Sequence, residues 1–132
     1  MEFEITMAGE APSAVSESDL EATEQKGALV KELIALDAAF YEDYQQRLNA
    51  SSRQGIECFM THNAGVSVPM LSAESSGAIL ATWSKGENHI SLRFIDRYTM
   101  HFAIAQGRQR SWGEAHPVTF LATHPEATDI IA

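Results

Sequence analysis

The chain reads as an α+β domain in which two N-terminal helices pack on an antiparallel meander of about four to six strands. Three observations predict this. Apolar residues recur at helical spacing from Leu29 to Leu48. After Gly65 the period changes to two. Turn residues then join three alternating runs into hairpins that agree on one buried face. The length of 132 residues fits a single domain, and 45% hydrophobic with 20% charged residues is the balance of a chain that folds around its own core. We divide it into a strand and linker over 1–18, helices over 19–64, a sheet over 66–122 and a tail over 123–132.

Glu2-Phe3-Glu4-Ile5-Thr6-Met7 alternates polar and apolar residues, as a half-buried strand does, and Gly9 to Ser18 with Pro12 reads as a linker. Ser18-Asp19-Leu20-Glu21 matches a capping box, in which a hydroxyl and a carboxylate satisfy the open N–H groups of a helix start. A helix of about 28 residues is expected from there. Its apolar face would hold Leu29, Val30, Leu33, Ile34, Leu36, Phe40, Tyr41, Tyr44 and Leu48, and Gly27 is the place for a bend. A second helix is predicted to start at Ser51-Ser52-Arg53-Gln54, to bury Ile56, Phe59 and Met60, and to end at Gly65 in the left-handed conformation.

Val66, Val68 and Met70 alternate, and Pro69 marks this strand as short or at a sheet edge. A turn over 72–77 follows. Register then decides the next elements, because a slip of one residue would turn every side chain to the other face. Closing a hairpin on Gly86-Glu87 sets Ile79, Ala81 and Trp83 opposite Phe94, Leu92 and Ile90. A three-residue loop Asp96-Arg97-Tyr98 sets Phe94, Leu92 and Ile90 opposite Met100, Phe102 and Ile104. The meander is therefore predicted at 78–84, 89–95 and 99–105. Gln106 to His116 reads as a polar loop, Val118 to Ala122 as the last strand, and the final ten residues as a fraying tail.

The formal charge of −9 disfavours nucleic acid and anionic lipid as partners. It is unevenly spread: residues 1–50 carry three basic and eleven acidic side chains, whereas 51–132 carry six and seven. Across 80–113 the sign reverses, with Lys85, Arg93, Arg97, Arg108 and Arg110 against Glu87 and Asp96. No apolar run reaches membrane-helix length, the start Met1-Glu2-Phe3-Glu4 is unlike a signal peptide, and a single Cys58 agrees with a reducing compartment, so a cytoplasmic protein without a membrane partner is expected.

Catalytic signatures are absent: there is no Gly-x-Ser-x-Gly, no phosphate-cradling glycine loop and no cysteine pair of zinc type. In the predicted register His89 faces Ala105 and His101 faces Arg93, roughly 13 Å apart, so the two share no ion. Cys58 and His62 lie one helical turn apart without an evident third ligand, and neither a metal nor another cofactor is expected. As a nucleophile–base pair they compete with the plainer reading of Cys58 as a small core side chain beside Ile56, Phe59 and Met60. Asp37 is the unusual acid, set among Leu33, Ile34, Phe40, Tyr41 and Tyr44. It either accepts hydrogen bonds from a Tyr or Arg, or lines a pocket with Tyr41 and Tyr44 that binds a ligand or carries out chemistry.

The second face of the meander would carry Leu80, Thr82, Ser84, His89, Ser91, Arg93, Ile95, Thr99, His101, Ala103 and Ala105, mostly small and uncharged. Such a face is covered either by other segments of the chain or by a protein partner, a second copy included. Arg93, Arg97, His101, Arg108, Arg110 and Trp112 are the candidate binding residues around it.

The run Gly77-Ala78-Ile79-Leu80-Ala81-Thr82-Trp83-Ser84-Lys85-Gly86 with Ile90-Ser91-Leu92-Arg93-Phe94, preceded by a helix and Pro69, resembles a pattern in uncharacterised small bacterial proteins of mobile-element neighbourhoods. The likeness covers roughly residues 40–105. It implies the helix-plus-meander fold and a role in phage, toxin–antitoxin or defence biology, and it implies no catalytic residue. The resulting expectation is a non-enzymatic acidic protein-binding module that neutralises a nucleic-acid-handling protein, as an antitoxin or an anti-CRISPR or other anti-defence protein would. A small-molecule or enzymatic pocket at Asp37 is the alternative.

Overall fold

A computed structural model describes residues 17–63 and 65–132, with side chains from residue 26 onward. The expected strand at 2–7, the linker after it and the side chains of the capping box lie outside the described residues. Helix α1 spans Glu17–Tyr44, 28 residues, and runs unbroken through Gly27. It includes Ser18, so the start lies upstream of the expected cap. It stops at Tyr44 because Gln45 enters the left-handed region at φ 57°. The Gln45 side-chain amide caps the end by donating to the carbonyls of Tyr41 and Glu42. Leu48, expected on this helix, is buried from the linker beyond it.

Helix α2 spans Ala50–His62, and its cap is Asn49, two residues before the expected one, whose side chain accepts from the Ser52 N–H. Ser52 is buried and does something different. Its hydroxyl donates to the Phe94 carbonyl at 2.6 Å and accepts from the Ile79 N–H at 2.8 Å, tying the helix to two strands. Gly55 permits this close approach, since a Cβ there would lie 2.6 Å from the Asp96 carbonyl oxygen.

The sheet comprises β1 (Met70–Ala73), β2 (Ile79–Lys85), β3 (Asn88–Phe94), β4 (Met100–Gln106) and β5 (Gln109–Ala115), antiparallel and in chain order across the sheet. The register across the central hairpins is the expected one: Ile79, Ala81 and Trp83 face Phe94, Leu92 and Ile90, which in turn face Met100, Phe102 and Ile104. Gly86 and Gly107 open two-residue turns with positive φ, as type II′ geometry requires.

Four expectations for the sheet and the tail are corrected. Residues 66–69 form no strand, and β1 begins at Met70. Pro69 cannot donate to a ladder, and Ser67 instead hydrogen-bonds the Ile131 carbonyl through both its N–H and its hydroxyl. The supposed polar loop over 106–116 is a hairpin into β5. The supposed last strand is a helical turn, α3 (Phe120–Thr123). The tail does not fray: a 3₁₀ turn (Pro125–Ala127) and α4 (Thr128–Ile131) bury Ala127, Ile130 and Ile131.

The described helical segments gather on one sheet face. Phe59 of α2 centres that core, with ring centroids 5.8 Å from Phe94, 6.0 Å from Trp83 and 6.5 Å from Phe120. Among the described side chains of α1 only Leu29, Leu33 and Phe40 are fully buried, while Val30, Ile34, Tyr41 and Tyr44 of the predicted apolar face are exposed. No described helix is long and apolar enough to cross a membrane.

Candidate functional site: the open face of the sheet

Pleating sends alternate residues to opposite faces, so the register that buries Ile79, Leu92 and Phe102 dictates what the second face displays. One row crosses all five described strands: Met70, Thr82, Ser91, Ala103 and Trp112 are successive cross-strand partners. Its two ends are large and open, Met70 at 75% exposure and Trp112 at 77%. Its middle is small. The result is a shallow trough of about 200 Å³, floored by Thr82, Ser91, Ala103 and Ala105 and walled by Trp112 and Arg110. No described helix covers this face.

Polar groups border the trough on both sides. The neighbouring row holds Leu80, Arg93, His101 and Glu114, and the row beyond the centre holds Ser84, His89, Ala105 and Arg110. Arg93 Nε donates to Glu74 Oε1 at 2.7 Å, which anchors its guanidinium at the β1 side. His101 Nε2 lies 3.9 Å from Glu114 Oε2, an ion pair when the imidazole is protonated. Ser84 Oγ and His89 Nδ1 are 2.8 Å apart. A flat, weakly charged centre with charges at the margin is the pattern of a surface that sheds water on contact.

Of the six candidate binding residues, Arg93, His101, Arg110 and Trp112 share this face. Arg97 and Arg108 do not; they sit in the turns at 95–99 and 107–108, both exposed. Arg97 lies with its guanidinium carbon 5.9 Å from the Tyr98 ring centroid. Met70 is not among those six residues, because the alternation from Val66 assigns it to a strand whose first half does not form. The signal was Pro69, which resets the phase of whatever strand follows it.

Asp37 is occupied. Its side chain is 18% exposed, Oδ1 accepts from the Leu48 N–H at 2.9 Å and Oδ2 from Arg47 Nη1 at 3.2 Å. Arg47 also stacks over Tyr41, 4.5 Å from its centroid. The carboxylate therefore fastens the α1–α2 linker, the hydrogen-bonded alternative of the two readings. Tyr41 and Tyr44 stand exposed on the outside of α1. Cys58 Sγ lies 3.7 Å from His62 Nδ1, but that nitrogen is closer, at 2.9 Å, to the Cys58 carbonyl, a back-bond at a helix end. Among the described residues no three His, Cys, Asp or Glu side chains are grouped to hold a metal. Comparison with protein-family models, curated proteins and solved structures gives no match, so the site is read from its own geometry.

Proposed function

We propose that the chain is a non-enzymatic acidic module that binds another protein across its open sheet face, and that this partner is a nucleic-acid-handling protein which it neutralises. The observation that carries the reading is the row from Met70 to Trp112, which no described segment covers, with two large apolar side chains exposed at the ends and small ones between. Exposed aromatic and Met anchors around a small-residue floor favour insertion of a partner's side chains, and the bordering Arg93, His101 and Arg110 add orientation. The acidic first half, net −8 over residues 1–50, favours encounter with a basic surface such as a nucleic-acid groove. The likeness to mobile-element proteins supports an antitoxin or anti-defence setting for such a module.

The test is a pull-down with tagged protein and with an Ala103→Glu variant, at low and high salt, with mass spectrometry of what is retained. A stoichiometric, salt-sensitive partner that binds nucleic acid, retained by the native chain and lost by the folded variant, is the expected result. A partner held equally by both, or one unrelated to nucleic acid, contradicts the proposal.

A further inference from the structure

We infer that the chain pairs with a second copy of itself through β5, the two strands running antiparallel about a two-fold axis at Trp112, so that two sheets become one continuous sheet. The first support is the contrast between the two edges. β1 is four residues long, follows Pro69 and lies against α1, all features that blunt an edge. β5 is seven residues long, contains no proline, and pairs with β4 without a bulge from Met100↔Ala115 to Gln106↔Gln109. Its inward-facing residues are Gln109, Ser111, Gly113 and Ala115, so it lacks the inward charge that guards many edge strands. No described strand pairs with its outer side.

The second support is hydrogen-bond parity. The two-residue turn Gly107-Arg108 closes on Gln106↔Gln109, and in such a hairpin the closing pair exchanges both backbone bonds. Bonded and non-bonded pairs alternate from there. Arg110, Trp112 and Glu114 therefore fall at non-bonded positions, with N–H and C=O turned to the free edge.

The third support is side-chain complementarity at those same residues. Arg110 lies two positions before Trp112 and Glu114 two positions after it, all three exposed on the open face. An antiparallel copy centred on Trp112 sets Arg110 opposite Glu114 of the second copy, and Glu114 opposite its Arg110. Trp112 meets its own counterpart, and on the inner face Ser111 meets Gly113, small against small. A slip of two residues in either direction sets Trp112 against Arg110 or Glu114 and breaks both Arg110–Glu114 pairs. Backbone and side-chain preferences thus select one register. Arg110 Nη1 now donates to the carbonyls of Gly107 and Gln109 at 2.6 and 3.0 Å, exposed bonds that leave the guanidinium free to swing toward a carboxylate. The pairing rests on the edge and not on the hetero-partner reading, although it would set two troughs side by side.

The experiment is the mass of the full 132-residue chain by analytical ultracentrifugation from about 1 μM to about 1 mM. A concentration-dependent dimer is expected. Arg110→Glu and Glu114→Arg should each weaken it about tenfold or more, because the symmetry loses two ion pairs per substitution and gains two like-charge pairs. The double variant Arg110→Glu/Glu114→Arg should restore it. Glu114→Pro removes an edge N–H without touching a β4 bond and should abolish it, with circular dichroism showing that each variant is folded. A native chain that stays monomeric at the highest concentration overturns the inference, including the case in which hydrogen exchange shows the 110, 112 and 114 amides protected by residues 1–16. So does a dimer indifferent to the charge reversals, which would point to the exposed stripe of α1.

Discussion

Ser52 shows how much one buried hydroxyl can settle. It takes both roles open to a hydroxyl, donor to Phe94 and acceptor from Ile79, at a point where helix α2 meets two neighbouring strands. Ser52→Ala leaves the Ile79 N–H and the Phe94 carbonyl buried without that partner, and it should destabilise the fold by about 1–3 kcal/mol. A urea titration with an unchanged slope and a lower midpoint is the expected outcome. Gly55→Ala should be of similar size, roughly 1–3 kcal/mol, because the added methyl meets backbone rather than a flexible side chain. Neither residue was legible in the sequence as a tertiary contact. The capping pattern places Ser52 in the N-terminal turn of a helix, which is where it lies, but its hydroxyl serves strands that are 27 and 42 residues away.

At the scale of elements, α2 and the C-terminal turns carry opposite lessons. The helix was foreseeable because Ile56 and Phe59 repeat at helical spacing, and only its cap moved, to Asn49. Asn49→Ala should lower stability by about 1 kcal/mol through loss of that cap. The tail was not foreseeable. Ile130 and Ile131 form too short a run to show a period, yet both are buried, and the Ile131 carbonyl receives two bonds from Ser67. Ile131→Ala should cost roughly 2–5 kcal/mol, a core-sized loss that a frayed end would not show, again read from the denaturation midpoint. β5 escaped notice for a related reason. Its inner residues Ser111, Gly113 and Ala115 are too small to register as apolar, and the core volume on that side is filled from β4 and α3, where the Phe102 ring lies 3.3 Å from where a Gly113 Cβ would stand.

For the molecule as a whole, the imbalance of charge is the controlling feature. Residues 17–44 hold eight acidic and two basic side chains, and the last turn of α1 contains no base to complement the helix dipole. Self-repulsion of this kind is screened by salt. The melting temperature should rise between low and physiological ionic strength, by about 2–4 °C, and calorimetry at two salt concentrations checks the sign. The candidate site draws on this scale too, since its small-residue floor stays open because the described helical segments pack on the opposite side.

Local chemistry determined what depends on near neighbours. Alternation and the turn glycines specified the register from Ile79 to Ile104, because one residue of slip would expose the entire core face. Helical spacing placed α1 and α2 for the same reason of one-sided burial. Tertiary structure alone decided where those pieces met: which stripe of α1 was covered, that Asp37 would fasten a linker, that the tail would complete the core, and that every described helix would leave one face of the sheet open between Met70 and Trp112. These outcomes depend on packing between segments distant in the chain, and no period or turn within a single segment encodes them.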